Sequence, residues 1–86
     1  MAHVNITLLG LLRLDIGLHY LEADADRIKD LYPILLEKAV ELNPGTTVTA
    51  ADIDGCIVLI NGKQSKKSSK LSDGDEVHLM SPVCGG

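Results

Sequence analysis

Over the first nine residues, Val4, Ile6 and Leu8 alternate with Asn5 and Thr7, the period of a strand with one buried face. Gly10 punctuates that pattern. From Leu12 to Tyr20 every even position is apolar: Leu12, Leu14, Ile16, Leu18 and Tyr20. Two readings fit. One is a tight turn at Gly10-Leu11 and a single long strand; the other is an irregular connection up to Gly17 and a shorter second strand. Either gives an antiparallel pair.

The period then changes. Ile28, Leu31, Leu35, Ala39 and Leu42 recur at spacings of three and four, one apolar stripe along a helix. Asp24 or Asp26 is placed to cap its start, and Asn43-Pro44-Gly45 stops it. Pro33 deletes a backbone donor and crowds the preceding turn, so the first turn is expected to be kinked or the helix to start near Asp30.

Residues 46–55 read as a connection, with room for one helical turn capped by Thr49. "CIVLING", residues 56–62, is a short apolar strand closed by Asn61-Gly62, a pair suited to positive φ. Residues 63–70 form a loop or weak edge strand. Asp73-Gly74 turns the chain again, and Glu76 to Ser81 is the last strand. Val77 and Leu79 face the core there, with His78 and Met80 on the other side. Pro82, lacking a donor, ends the ladder.

Composition narrows the possibilities. With 45% hydrophobic residues but no Phe or Trp, the core is built from Leu, Ile and Val, with Tyr20 and Tyr32 as its aromatic candidates. The 86 residues suit one domain over residues 1–81, followed by a short tail, 82–86. The net charge of −4 gives no support to nucleic acid or an anionic membrane as a partner. Lys63, Lys66, Lys67 and Lys70 gather in a stretch without acids. That stretch is either a solvated loop or a docking patch for an acidic partner.

No apolar run is long enough to span a membrane, and no basic segment precedes the first apolar stretch as in a signal peptide. Cys56 and Cys84, 28 positions apart, match neither a disulfide framework nor a metal spacing. Reduced thiols in a cytoplasm are therefore expected. His3, His19 and His78 are scattered and suggest no metal site.

The order of elements, with "LGLLR" (9–13), "VLINGK" (58–63), "LSDGDEVHL" (71–79) and "PVCGG" (82–86), resembles the ubiquitin-like β-grasp superfamily. More narrowly, it is similar to the sulfur-carrier branch of MoaD, the small subunit of molybdopterin synthase, and ThiS of thiamine synthesis. The resemblance implies an α+β fold: a mixed sheet of four to five strands on one main helix, with a flexible C-terminal diglycine tail. Two features depart from the pattern. Cys84 stands where such tails carry a small residue, and "TVTAADIDG" lengthens the helix-to-strand connection.

In such carriers the terminal carboxylate is adenylated and converted to a thiocarboxylate, which puts the chemistry at Gly86. Gly85 has no side chain to obstruct a narrow pocket. The five residues after Ser81 span at most ~17 Å at ~3.3–3.6 Å each. Cys84 either fills an alanine-like slot or exchanges transiently with an activating enzyme. Cys56 is expected in or near the core. His78, Met80 and Pro82 are the partner-binding candidates. The implied partners are an adenylating enzyme of the ubiquitin-activating type, which uses Mg-ATP, and a sulfur-accepting synthase subunit. The chain itself is expected to hold no cofactor or metal and to be a carrier, not an enzyme. A ubiquitin-like modifier joined to target lysines through Gly86 is the alternative.

Overall fold

The structure, a computed structural model, describes residues 1–81, without the side chains of Leu11, Leu12 and Asp15. Strands β1 (Ala2–Leu9), β2 (Tyr20–Ala25), β3 (Ile57–Ile60), β4 (Lys63–Ser65) and β5 (Glu76–Met80) form one mixed sheet in the order β2-β1-β5-β3-β4. β1 and β5 run parallel at its centre, and the other neighbouring pairs are antiparallel. Helices α1 (Leu11–Ile16), α2 (Leu31–Leu42) and α3 (Ala50–Asp54) complete the fold.

Register fixes what each face carries. Ile6 sits opposite Val77 on one side and Leu21 on the other, and Leu8 pairs with Leu79, which pairs in turn with Val58. These residues are buried together with Ile28, Leu31, Leu35 and Ala39 of the helical layer. Burying each such Leu, Ile or Val contributes roughly 1.5–3 kcal/mol. Every buried residue among those described is apolar.

The alternation from Leu12 to Tyr20 does not make a long strand. Residues 11–16 are helical, ended by Gly17 in the left-handed region at φ 81°, whose N–H donates to the Arg13 carbonyl. Of the two readings, the shorter second strand is the one observed, and its connection is α1. Leu14 is 69% exposed while Ile16 is fully buried, so the two do not share a face as they would in a strand. Apolar residues two apart also occur around a helix, and the period alone did not distinguish the two.

α2 starts at Leu31 after one 3-10 turn (Ile28–Asp30), as Pro33 demands. Pro33 lies in the first turn, where backbone N–H groups have no intrahelical acceptor, so no bond is lost. Neither Asp24 nor Asp26 caps the helix. Asp30 is the N-cap, and its carboxylate accepts instead from the Arg27 N–H. Leu42, expected on the buried stripe, is 48% exposed as the last residue of the helix. Thr49 caps α3 as anticipated: its hydroxyl accepts from Asp52 N–H while the Asp52 carboxylate accepts from Thr49 N–H. Tyr32 donates to Asp54, tying α2 to α3; burial, then this bond, push its pKa up to about 12. Tyr20 instead lies on the open face, its hydroxyl bonded to Asn5.

Candidate docking face and tail base

Each strand that buries alternate residues against the helices turns the others to the opposite, open face. There His78 stands between Thr7 of β1 and Leu59 of β3, and Met80 stands between Leu9 and Ile57. Tyr20 extends the His78 row across β2. Leu9, Leu59, His78 and Met80 are half-buried and Ile57 is 38% exposed. The two residues that alternation singled out on β5 therefore share one patch with three apolar neighbours that sequence reasoning missed. A signal was present: Leu8-Leu9 and "IVLI" stay apolar at positions where a one-sided strand turns polar.

The patch lies at the end of β5 where the tail begins. Ser81 sits against Gly10, which has φ 68° and ψ −147°, a conformation favouring glycine. A Cβ at Gly10 would fall 2.7 Å from the Ser81 hydroxyl oxygen. The glycine of "LGLLR" thus lets the chain leave β5 close against the end of β1. Pro82, Cys84, Gly85 and Gly86 lie outside the described residues.

The other motifs lie at the opposite end of β5. Asn61 (φ 53°) and Gly62 (φ 82°) turn β3 into β4. The Asn61 side chain donates to Asp75 and accepts from the Glu76 N–H, both at 2.9 Å. Gly74, at φ 84°, donates to the His3 carbonyl, and the His3 N–H donates to Asp73. "NGK" and "DGDEV" are accordingly turn clasps that start β5 in register.

This end of the open face is charged. The His3 ring nitrogens lie 2.8 Å from Glu22 and 2.8 Å from Asp24, and those two bonds raise its pKa above the ordinary 6.5. Glu76 stands across Asn5 from Glu22. The lysine-rich segment lies elsewhere, at the β4 edge: Lys67 pairs with Asp54 at 3.2 Å, and Arg27 donates to the Ser68 carbonyl. Charged side chains on a short edge strand also discourage pairing with other chains. Among the described residues no cluster of three or more His, Cys, Asp or Glu could hold a metal ion. No helix among them is long and apolar enough to cross a membrane.

The profile of the ThiS family matches residues 18–86, spanning the helix, the last three strands and the diglycine. The chain belongs to the ThiS family. Solved structures agree with a MoaD/ThiS-like, ubiquitin-like β-grasp fold. Small archaeal modifier protein 1 from Methanosarcina acetivorans aligns with a TM-score of 0.73 at 26% identity, covering 100% of this chain and 98% of that one. The putative molybdopterin converting factor subunit 1 from Pyrococcus furiosus gives 0.70 at 20% identity, over 96% and 100%. A complex of subunits 1 and 2 of the molybdopterin-converting factor from Helicobacter pylori gives 0.60 at 26%, over 98% and 99%. No curated protein matches. For this ThiS-family chain, the arrangement can present an apolar face beside Ser81.

Proposed function

We propose that the chain is a sulfur carrier whose Gly86 carboxylate is activated by another protein. The observation that carries this reading is the adjacency of the open apolar patch to Ser81, the last described residue before "PVCGG". A free carboxylate is a poor acyl donor because its oxide is a poor leaving group. Attack of the Gly86 carboxylate on the α-phosphate of Mg-ATP, held by a ubiquitin-activating-type enzyme, gives an acyl adenylate and releases pyrophosphate. Sulfide then attacks the carbonyl and expels AMP, leaving a thiocarboxylate; where a persulfide attacks instead, a second thiol attacks the donor sulfur of the acyl persulfide, forming a disulfide with it and releasing the thiocarboxylate.

The body supplies the address. His78, Met80 and Pro82, with Leu9, Ile57 and Leu59, bind the partner, and Gly85 gives access. The second partner is a sulfur-accepting synthase subunit, by analogy with the two-subunit Helicobacter pylori complex. The chain is a co-substrate and not an enzyme, and the cytoplasm, where both thiols stay reduced, is the compartment that fits.

The likeness to small archaeal modifier protein 1 supports a second reading, conjugation of Gly86 to target lysines. Mass spectrometry of the protein from its own cells tests both. A thiocarboxylate terminus, heavier than the acid by about 16 Da for one O-to-S exchange, supports the carrier. Lysines of other proteins carrying residues 71–86 as a branched tryptic remnant, since Lys70 is the last basic residue, with no thiocarboxylate, support the modifier. Neither product, in cells that make the protein, overturns both.

A further inference from the structure

We propose that the outer edge of β2 takes, by strand addition, an extended segment of a partner protein in which basic and apolar residues alternate. This goes beyond the carrier reading and does not depend on it. β2 is the last strand on its side of the sheet. In an antiparallel pair, residues that bond across alternate with residues that do not. The Leu8 N–H donates to the His19 carbonyl at 2.7 Å, so in the observed register Leu21, Ala23 and Ala25 are the β2 residues that bond to β1. Tyr20, Glu22 and Asp24 therefore turn their N–H and C=O groups outward. None of those backbone groups has a partner among the described residues. Side chains match one another across that end of the open face, but the backbone edge beside it is unmatched.

The two sides of this edge ask for different side chains. On the open face, Glu22 and Asp24 each give one carboxylate oxygen to the His3 ring, at 2.8 Å. The second oxygen of each has no partner among the described residues. Directly opposite residues on adjoining strands bring their Cβ atoms to about 4.5–5.5 Å, within reach of a lysine or arginine. On the helix side, Leu21 and Ala25 are buried and Ala23 is half-buried. The two alanines are small, and a groove of about 370 Å³ runs from the edge to α2, lined by Met1, Asp24, Ala25, Asp26, Asp30 and Ile34. Ile34 is only half-buried there, and an apolar side chain on the added strand would cover it. Successive residues of a strand point to opposite faces, so the segment that fits has basic and apolar residues by turns.

The same charges reject a second copy of this chain. Two β2 edges paired about a twofold axis would set Glu22 and Asp24 against Glu22 and Asp24, and like charges directly opposite are destabilising. The carboxylates thus guard the edge against self-pairing and leave it open to a basic strand.

The test follows amide hydrogen exchange of the folded full chain, residue by residue by NMR. The probe is an end-blocked peptide of about seven residues in which lysine alternates with valine. An excess of it should slow exchange at Tyr20, Glu22 and Asp24 by more than about tenfold, while Leu21, Ala23 and Ala25, already bonded to β1, change little. A peptide of alternating glutamate and valine should leave these positions unchanged. Glu22→Lys/Asp24→Lys, at two exposed sites outside the core, should weaken binding of the lysine peptide by more than about tenfold and favour the glutamate peptide instead. Unchanged exchange at Tyr20, Glu22 and Asp24 in excess lysine peptide overturns the proposal. So does equal slowing by the glutamate peptide, or slowing at His78 and Met80 in place of the β2 edge. Slowing without peptide that grows with protein concentration overturns it too, because the occupant would then be a second copy.

Discussion

The two ends of the open sheet face differ in kind. Where β5 begins, polar groups are matched: Asn61 to Asp75 and Glu76, Asp73 to His3, and His3 to Glu22 and Asp24. Where it ends, Leu9, Ile57, Leu59 and Met80 meet no covering layer among the described residues. The first end satisfies its own hydrogen bonds and needs no partner. The second leaves apolar area in water, which costs free energy until another surface covers it. The chain therefore invests its turn chemistry in register and leaves its apolar surplus beside the tail.

The sharpest break between the ends should come from removing Gly85 and Gly86. AMP transfer should drop to background while the melting temperature moves by less than about 2 °C, since the core among the described residues is built from residues 2–79. An unchanged rate of transfer would refute the role of the tail. Next in size is the pair of neighbours on β5. Leu79→Ala should lower stability by about 2–5 kcal/mol, read by urea denaturation, because it empties a fully buried site. Met80→Ala should cost less than about 1 kcal/mol in the same assay. It should nevertheless weaken binding to the adenylating enzyme by more than about 1 kcal/mol, read by calorimetry. Equal binding by wild type and Met80→Ala would remove the patch from the docking surface.

At the matched end, Asn61→Ala should cost about 1–2 kcal/mol of stability by leaving the Glu76 N–H without its acceptor, with AMP transfer unaffected. The smallest effect concerns His3. Both ring nitrogens can donate to Glu22 and Asp24 only in the imidazolium form. Its raised pKa makes the linked stability complete below the ordinary 6.5 and lost as pH rises through the folded value. An NMR titration should find the His3 midpoint above 6.5, falling toward it in Glu22→Gln/Asp24→Asn. A midpoint unmoved by that double change would separate the ring from its carboxylates.

Much of the fold was legible where a short-range pattern had one physical meaning. The stripe Ile28, Leu31, Leu35, Ala39 and Leu42 read as a helix face, although Leu42 ends exposed, and Thr49 stood where a cap for the following turn belongs. Asn61-Gly62 and Asp73-Gly74 announced turns because few other residues tolerate positive φ. The even positions from Leu12 to Tyr20 misled because α1 buries Ile16 and exposes Leu14, a choice made by contact with α2 and the sheet. Of the candidate site, His78 and Met80 were readable from strand alternation. Leu9, Ile57 and Leu59 were not joined to them, because nothing local says which strands lie side by side.

The residues alone determined which segments could bury a face and where the chain must turn, since these depend on neighbours within a few positions. The order β2-β1-β5-β3-β4, the parallel pairing of the first and last strands, and the meeting of Gly10 and Ser81 were decided by tertiary structure. Those contacts join residues dozens of positions apart, and the burial of Ile6, Leu8, Val77 and Leu79 in one core with Ile16, Leu31 and Leu35 favours that arrangement.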